Sequence, residues 1–408
     1  MRAYIPVCAV LGQGYLPQGE PLPKGLPGRL LVSPVMLWYI PPMSETTTVK
    51  EVKPFDLIVL SSAASISGGL RQAVYLAGAF SQLGYTVTIF VPFPENFIKI
   101  APELDWRILP DSMREAEKAL RAVMPEGRKV IVHAFHNKGV KLAAWLGTWW
   151  RFCGLPVACA AHRGLVRRPG NPLPYLLPGI RAYMVNSNTC GKVLPLFWRR
   201  NRCHLVANGV PHERVVSAIS PRDMRERLGI PVENFVLGCV CNNNPQKGAG
   251  VCITAFASAR SRLPAPSTLI VVGVQPESWL PLCVALGVAE HVRLVPPADH
   301  VAEYVQLFDL MVCGSYFAES QPNVLLEGML MGRAIVSSRA GGIPDLLADE
   351  WLVPQQNPQA LADKIVEVAT NPELLRRSAA ENARLGQQYT MEARVAASLA
   401  IYQSILAE

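Results

Sequence analysis

From Phe55 onward, short runs of β-branched and aliphatic residues alternate with stretches in which apolar positions recur every three or four residues. Leu57 to Ser61 reads as a buried strand, Gly68-Gly69 as a turn, Leu70 to Leu83 as a helix stopped by Gly84, and Thr86 to Val91 as the next strand, which together make a βαβ unit. Further strands are predicted at 129–134, 157–161 and 182–186, with a helix at 139–152. A second series begins near Phe235. It runs strand 236–240, helix 248–261, strands 268–273 and 291–295, helix 301–307, strand 310–313, helix 322–331, strand 334–338, then helices 358–370 and 372–385. Two alternating series predict an α/β protein of two doubly wound parallel-sheet domains, joined near residues 205–232, with ligands held beyond the carboxyl ends of the strands. The division read from this pattern is a loosely ordered extension 1–54, a first domain 55–205, a second domain 206–385 and a C-terminal helix 386–408 packing back on the first domain.

The extension stands apart, with nine prolines and little periodicity. Its apolar stretch Ala3 to Leu11 contains Pro6 and has no A-x-A cleavage site, so it does not read as a signal peptide. Patterned sequence follows Met43, which makes Met43 an alternative start. Half of the 408 residues are apolar and 17% are charged, the composition of a folded chain. No apolar run reaches the ~18 residues of a spanning helix: Leu142 to Trp150 is closed by Lys141 and Arg151, and prolines break Leu30 to Ser44.

Charge changes the picture, because it is unevenly spread. Residues 1–206 hold 24 Lys and Arg against 11 Asp and Glu, whereas residues 207–408 hold 15 against 20. No carboxylate lies between Glu126 and Glu213, a stretch with 13 Lys and Arg. One face of the first domain is therefore expected to be strongly positive and to attract nucleic acid, an anionic membrane or a phosphorylated substrate. Trp145, Trp149, Trp150, Phe152, Tyr175, Phe197 and Trp198 are interleaved with these cations. That pattern suits a membrane interface and, equally, a core beside a solvated face. Nucleic acid ranks below both, since zinc-finger spacing, RNP-like strands and basic zippers are missing. The ten cysteines show no C-x-x-C pair and sit largely in apolar surroundings, as buried free thiols of a reducing cytoplasm would.

The sharpest chemistry lies between residues 319 and 345. Glu319 closes a loop, Pro322 opens a helix, and Glu327 follows eight residues after the first carboxylate. A helix N-terminus offers unpaired N–H groups to an anion, and carboxylates accept from hydroxyls, so the combination suits a ligand with both phosphates and hydroxyls. Two glutamates at this spacing, taken alone, are also a common coincidence.

The wording of the whole segment, Glu319-Ser-Gln-Pro-Asn-Val-Leu-Leu-Glu327 through Gly341-Gly342-Ile-Pro344-Asp345, resembles the E-x7-E signature of family 4 glycosyltransferases, the retaining group 1 enzymes of GT-B fold. Ser67-Gly68-Gly69, Asn186-Ser187, Asn208-Gly209-Val210, Gln246-Lys247-Gly248 and Asn357 to Ile365 resemble further landmarks of that family. The resemblance implies a hexosyl- or related transferase that uses a nucleotide-diphosphate sugar as substrate, with no cofactor. It places Glu319 on the donor sugar's hydroxyls, Glu327 on the ribose, and Lys247 on the diphosphate beside backbone N–H groups of Gly68, Gly69, Asn323 and Val324. His162 would stand near the reacting centre, or else be a polar strand-end residue that positions a loop. His133 and His136 fit a strand end facing the cleft more weakly, each as a structural residue or an acceptor contact, and Arg163 is a further acceptor-side candidate. No D-x-D pattern occurs, the nearest being Glu103-x-Asp105 and Glu115-x-Glu117, so metal independence is expected.

Some positions depart from the family's pattern. Asn242, counted here in the donor site, stands where an arginine is usual; Val272-Gly273-Val274-Gln275 replaces a G-x-G-P turn, and Asp345 a glutamate. The first departure removes a cation and motivates an alternative, a degenerate GT-B binding or scaffold protein without turnover. A nicotinamide oxidoreductase is disfavoured, because Ser67 to Ala73 lacks G-x-G-x-x-G. The expected setting is cytoplasmic and peripheral on the membrane's inner face, with a lipid-linked or cell-envelope glycan such as a lipopolysaccharide or polysaccharide precursor as acceptor, and no nucleic acid.

Overall fold

A computed structural model describes residues 53–65, 67–195, 200–263, 266–316 and 319–408. The extension as far as residue 52, Met43 and Cys8 within it, and Phe197 and Trp198 lie outside the described residues.

Seven strands form the first sheet: β1 Asp56–Ser61, β2 Val87–Val91, β3 Asp105–Ile108, β4 Val130–Phe135, β5 Val157–Arg163, β6 Ile180–Val185 and β7 Cys203–Leu205. Six form the second: β8 Phe235–Val240, β9 Ser267–Val272, β10 Val292–Val295, β11 Leu310–Cys313, β12 Ala334–Ser338 and β13 Leu352–Val353. Their orders are β3-β2-β1-β4-β5-β6-β7 and β10-β9-β8-β11-β12-β13, with parallel pairing throughout. These are the two doubly wound sheets expected from the alternating pattern. Central strands are buried along their whole length, as helices on both faces require, and that is why they read as continuous apolar runs. Each order reverses beside its first strand, at β1/β4 and β8/β11, and the crevice of a doubly wound sheet opens at such a reversal.

Local chemistry shifts several boundaries. Gly68-Gly69 is not a turn: the hydroxyl of Ser67 accepts from Leu70 N at 3.2 Å, and the helix Gly68–Gln82 starts at once. β5 runs two residues beyond its predicted end, because His162 and Arg163 still pair with Met184 and Val185 of β6. Sequence periodicity missed β3, which is short, charged and at a sheet edge, and also the helices Met113–Ala122 and Pro276–Ala285. The second of these carries Pro281 inside it, a residue that argues against a helix when read alone.

After the second sheet the chain crosses back. The helix Met391–Ala407 packs against the helix Gly68–Gln82 and places Met391, Val395, Tyr402 and Ile405 in the core beneath the first sheet. Nine cysteines lie among the described residues, all as free thiols. No helix among these residues is long and apolar enough to cross a membrane.

Candidate functional site

The carboxyl ends of the two sheets meet at a cavity of about 400 Å³. From the first sheet it is lined by Ser67, Gly68, Gly69 and Gln72 after β1, Phe135 to Asn137 after β4, His162 to Leu165 at the end of β5, and Asn186 after β6. Asn208 of the connection, Lys247 after β8, and Glu319 to Asn323 after β11 close it.

On the second-domain wall, Lys247 Nζ and the buried carboxylate of Glu319 form an ion pair, with Ser315 Oγ 3.4 Å from the same carboxylate oxygen. The loop carrying Glu319 is clasped by Gly341 and Gly342. Gly342 N donates to Glu319 O at 2.8 Å, Gly341 has φ +52°, and a Cβ on either glycine would overlap a backbone oxygen of Glu319 or Ser320. Only glycine fits both the close approach and the left-handed backbone. The helix Asn323–Leu330 then starts with no acidic residue and no side-chain cap, so its first N–H groups are open to a ligand. Gly68 faces it: a Cβ there would stand 3.7 Å from Asn323 Nδ2. Two helix N-termini, neither with acid in its first turn, thus converge beside Lys247.

Glu327 lies outside the cavity lining, as does Val324. Arg214 holds Glu327 Oε1 through Nε at 3.0 Å and Nη2 at 2.9 Å, while Glu327 Oε2 has no partner among the described residues. Burial pushes this carboxyl up and the Arg214 charge opposes it. Asn242 is exposed and outside the lining; its Oδ1 accepts from Asn244 N at 3.1 Å.

Apart from Arg163 at its rim, the first-domain wall is made of neutral groups. His162 lines the cavity, stacks on Phe135 at 4.9 Å between ring centroids, and leaves Nδ1 without a partner among the described residues. Burial, then the Arg394, His133 and His136 charges, hold its pKa well below the usual histidine range. His136 sits at φ +65°, a strained conformation for a non-glycine residue, with Nδ1 3.0 Å from Ser61 Oγ. A Cβ on Gly69 would come within 2.9 Å of its Nε2. Burial lowers the pKa of His136 too. Arg163 is buried at the rim, where it donates to Asn137 Oδ1, to Tyr175 OH at 3.2 Å and to Arg167 O at 2.7 Å, and so braces two loops. His133 does not reach the cleft. It is fully buried on β4 with Nδ1 2.5 Å from Tyr402 OH, which fits the structural one of its two readings and not the acceptor contact.

Several cleft residues carried no chemical signal in the sequence. Gln72 donates to Gly209 O at 2.9 Å and to Asn323 Oδ1 at 3.2 Å, joining the first helix to the second domain. Buried Arg394 of the C-terminal helix donates to Gln72 O at 3.0 Å and also to its Oε1. Asn208 donates to Gln321 O and Asn323 Oδ1, and Ser320 to Asn186 Oδ1. Asn186 and Asn208 stand in landmark segments and were legible as such. Gln72 and Arg394 were not, because only tertiary packing brings residues 322 positions apart together. Among the described residues, no three of His, Cys, Asp and Glu gather to hold a metal ion.

Residues 234–371, which include Lys247, Glu319 and Glu327, match the family described as Glycosyl transferases group 1. The match to that family is confined to this second-domain segment. This chain is 28% identical over 199 residues to the D-inositol 3-phosphate glycosyltransferase of Streptomyces griseus, an alignment covering 45% of this chain and 42% of that protein. To the protein of the same description from Jonesia denitrificans it is 30% identical over 219 residues, covering 50% and 51%. The chain thus matches about half the length of these relatives. Among solved structures, Anabaena HepE in complex with UDP superposes with a TM-score of 0.73 at 15% identity, covering 86% of this chain and 100% of that one. The fold is GT-B.

Proposed function

We propose that the protein transfers a sugar, a hexose or a close relative, from a nucleotide-diphosphate sugar to a lipid-linked or cell-envelope glycan, with retention of anomeric configuration and without a metal ion. The observation that carries this reading is the convergence of two helix N-termini on Lys247 and Glu319 in a cleft between two doubly wound sheets. The matched relatives are described as glycosyltransferases, and HepE was solved with UDP, which makes uridine the first base to test.

In this reading the chemistry follows from charge. Breaking the sugar–phosphate bond builds positive charge on the anomeric carbon and negative charge on the departing diphosphate, so fixed dipoles and a cation at the phosphates favour the transition state. Lys247 and the N–H groups of Gly68, Gly69, Asn323 and Val324 supply them. Glu319, held by Lys247, keeps its second oxygen for sugar hydroxyls, and Glu327, held by Arg214 through one oxygen, offers Oε2 to the ribose. His162 is neutral, so it serves as a hydrogen-bonding partner near the anomeric carbon and not as a cation. With no strong base opposite that carbon, the leaving phosphate takes the acceptor's proton, as retention by front-face attack requires.

A second reading, a scaffold of the same fold without turnover, is favoured by Asn242, which is exposed, engages its own loop and brings no cation. Thermal melting with UDP, GDP and ADP and their common sugars, with Mg²⁺ or with EDTA, separates the two. The transferase reading expects one nucleotide family to raise the melting temperature equally in both conditions. No shift with any of them favours the scaffold.

A further inference from the structure

We infer that the outer face of the helix Asn137–Phe152 is the surface by which the protein lies on an anionic lipid bilayer. This deepens the reading of the acceptor as lipid-linked and rests on it only for its purpose, since the surface is argued from its own chemistry.

The helix has two opposite characters. Its inner side, with Val140, Ala143, Ala144, Leu146 and Trp150, is buried in the first domain's core. Lys138, Lys141, Trp145, Trp149 and Phe152 follow at spacings of three and four and form one outer stripe. Trp145 is 37% exposed, Trp149 54% and Phe152 85%, with the last two rings stacked at 6.3 Å. Trp150 and Tyr175 belong to the core, so among the described residues the alternative left open by composition is decided residue by residue. The short helix Leu173–Leu176 packs alongside and exposes Leu173.

Charge then selects the occupant. Lys138, Lys141, Arg151, Arg167 and Arg168 are exposed and make no ion pair among the described residues. No carboxylate lies between Glu126 and Glu213. A second copy of the same face would set cations against cations, which disfavours a symmetric dimer. An anionic bilayer answers both halves of the stripe: aromatic rings sit at headgroup level, and each nearby lysine is attracted by the negative surface. At the lysine end, a cavity of about 190 Å³ lined by Asn137, Lys138, Lys141, Asn171 and Tyr175 adjoins the cleft through Asn137. The face and the cleft mouth therefore adjoin, as a lipid-linked acceptor requires.

The test is co-sedimentation of the full chain with vesicles of phosphatidylcholine alone and with about one-third phosphatidylglycerol, without donor, so that failure of the transfer reading leaves it intact. Binding is expected only to the anionic vesicles and is expected to weaken as salt screens it. The variant Trp145→Ser/Trp149→Ser/Phe152→Ser should bind at least about tenfold more weakly. Lys138→Gln/Lys141→Gln, which leaves the apolar contacts intact, should lose about fivefold per charge. Equal binding to neutral and anionic vesicles, unaltered binding by both variants, or a parent dimer that these substitutions dissociate without lipid would each overturn the inference.

Discussion

The two walls of the cleft are built on sheets of the same winding, yet they present opposite chemistry. The second-domain wall carries paired opposite charges, Lys247 with Glu319 and Arg214 with Glu327 just beyond the lining, the two carboxylates drawn from one loop and the helix that follows it. The first-domain wall collects His136, His162, Asn186 and Gln72 from the ends of four strands, with the histidines held neutral by burial. In the proposed reading the second wall meets a nucleoside diphosphate, which presents much the same charges and hydroxyls whatever it is attached to, so that wall can draw on a compact recurring segment. The proposed acceptor has no such common part, and the first wall is assembled from separate loops.

Exchanging losses between the walls gives the largest expected effect. Glu319→Ala should lower transfer by about 100- to 1000-fold, the cost of removing one fixed electrostatic partner at a reacting centre, and should abolish the melting shift with nucleotide-sugar. His162→Asn should lower transfer by roughly 10- to 100-fold, the cost of a lost buried hydrogen bond, while the donor's melting shift survives. If both variants lost donor binding alike, the walls would not divide the work between donor and acceptor.

A smaller effect probes how the walls are joined. Gln72→Ala removes the side chain that links Gly209 and Asn323 to Arg394 and leaves that buried guanidinium short of a partner. Urea unfolding should show a loss of about 1–3 kcal/mol. An unchanged midpoint would mean that the bridge contributes nothing to holding the walls together.

The last expected effect is a pH slope, which probes the uncharged histidines on and behind the first wall. Burial and the Arg394 charge hold His133 down to about 3, and His162 is lowered for the same leading reason. The unfolded chain takes up these protons near pH 6.5, the native protein only far below it. Stability is therefore fully present above pH 6.5 and falls as the pH drops, by about 1.4 kcal/mol per pH unit for each histidine. Urea titrations between pH 7.5 and 5 measure the slope, and His133→Asn should reduce it by about one proton.

Most of the strands, the two-sheet architecture and the Glu319 segment of the second-domain wall were legible in the sequence because each depends on residues close together in it. A fully buried parallel strand must be a short apolar run, and Glu319, Asn323 and Glu327 lie within nine residues of one another. The edge strand β3 and the Pro281 helix were not legible, since their local propensity speaks against the conformation that packing imposes. For the same reason His133 and His162, both at or near strand ends, could not be told apart. Facing the cleft or Tyr402 is a matter of which neighbour fills the space.

What the sequence determined by itself is most of the succession of strands and helices, the basic character of the first domain and the residues proposed for an anion site, because periodicity, charge and helix starts are local properties. Only the tertiary structure decided which tryptophans face outward, which histidines lose their charge, and that Arg394 reaches Gln72. Each of these depends on desolvation and on contacts between segments far apart in the chain, and local sequence carries no record of them.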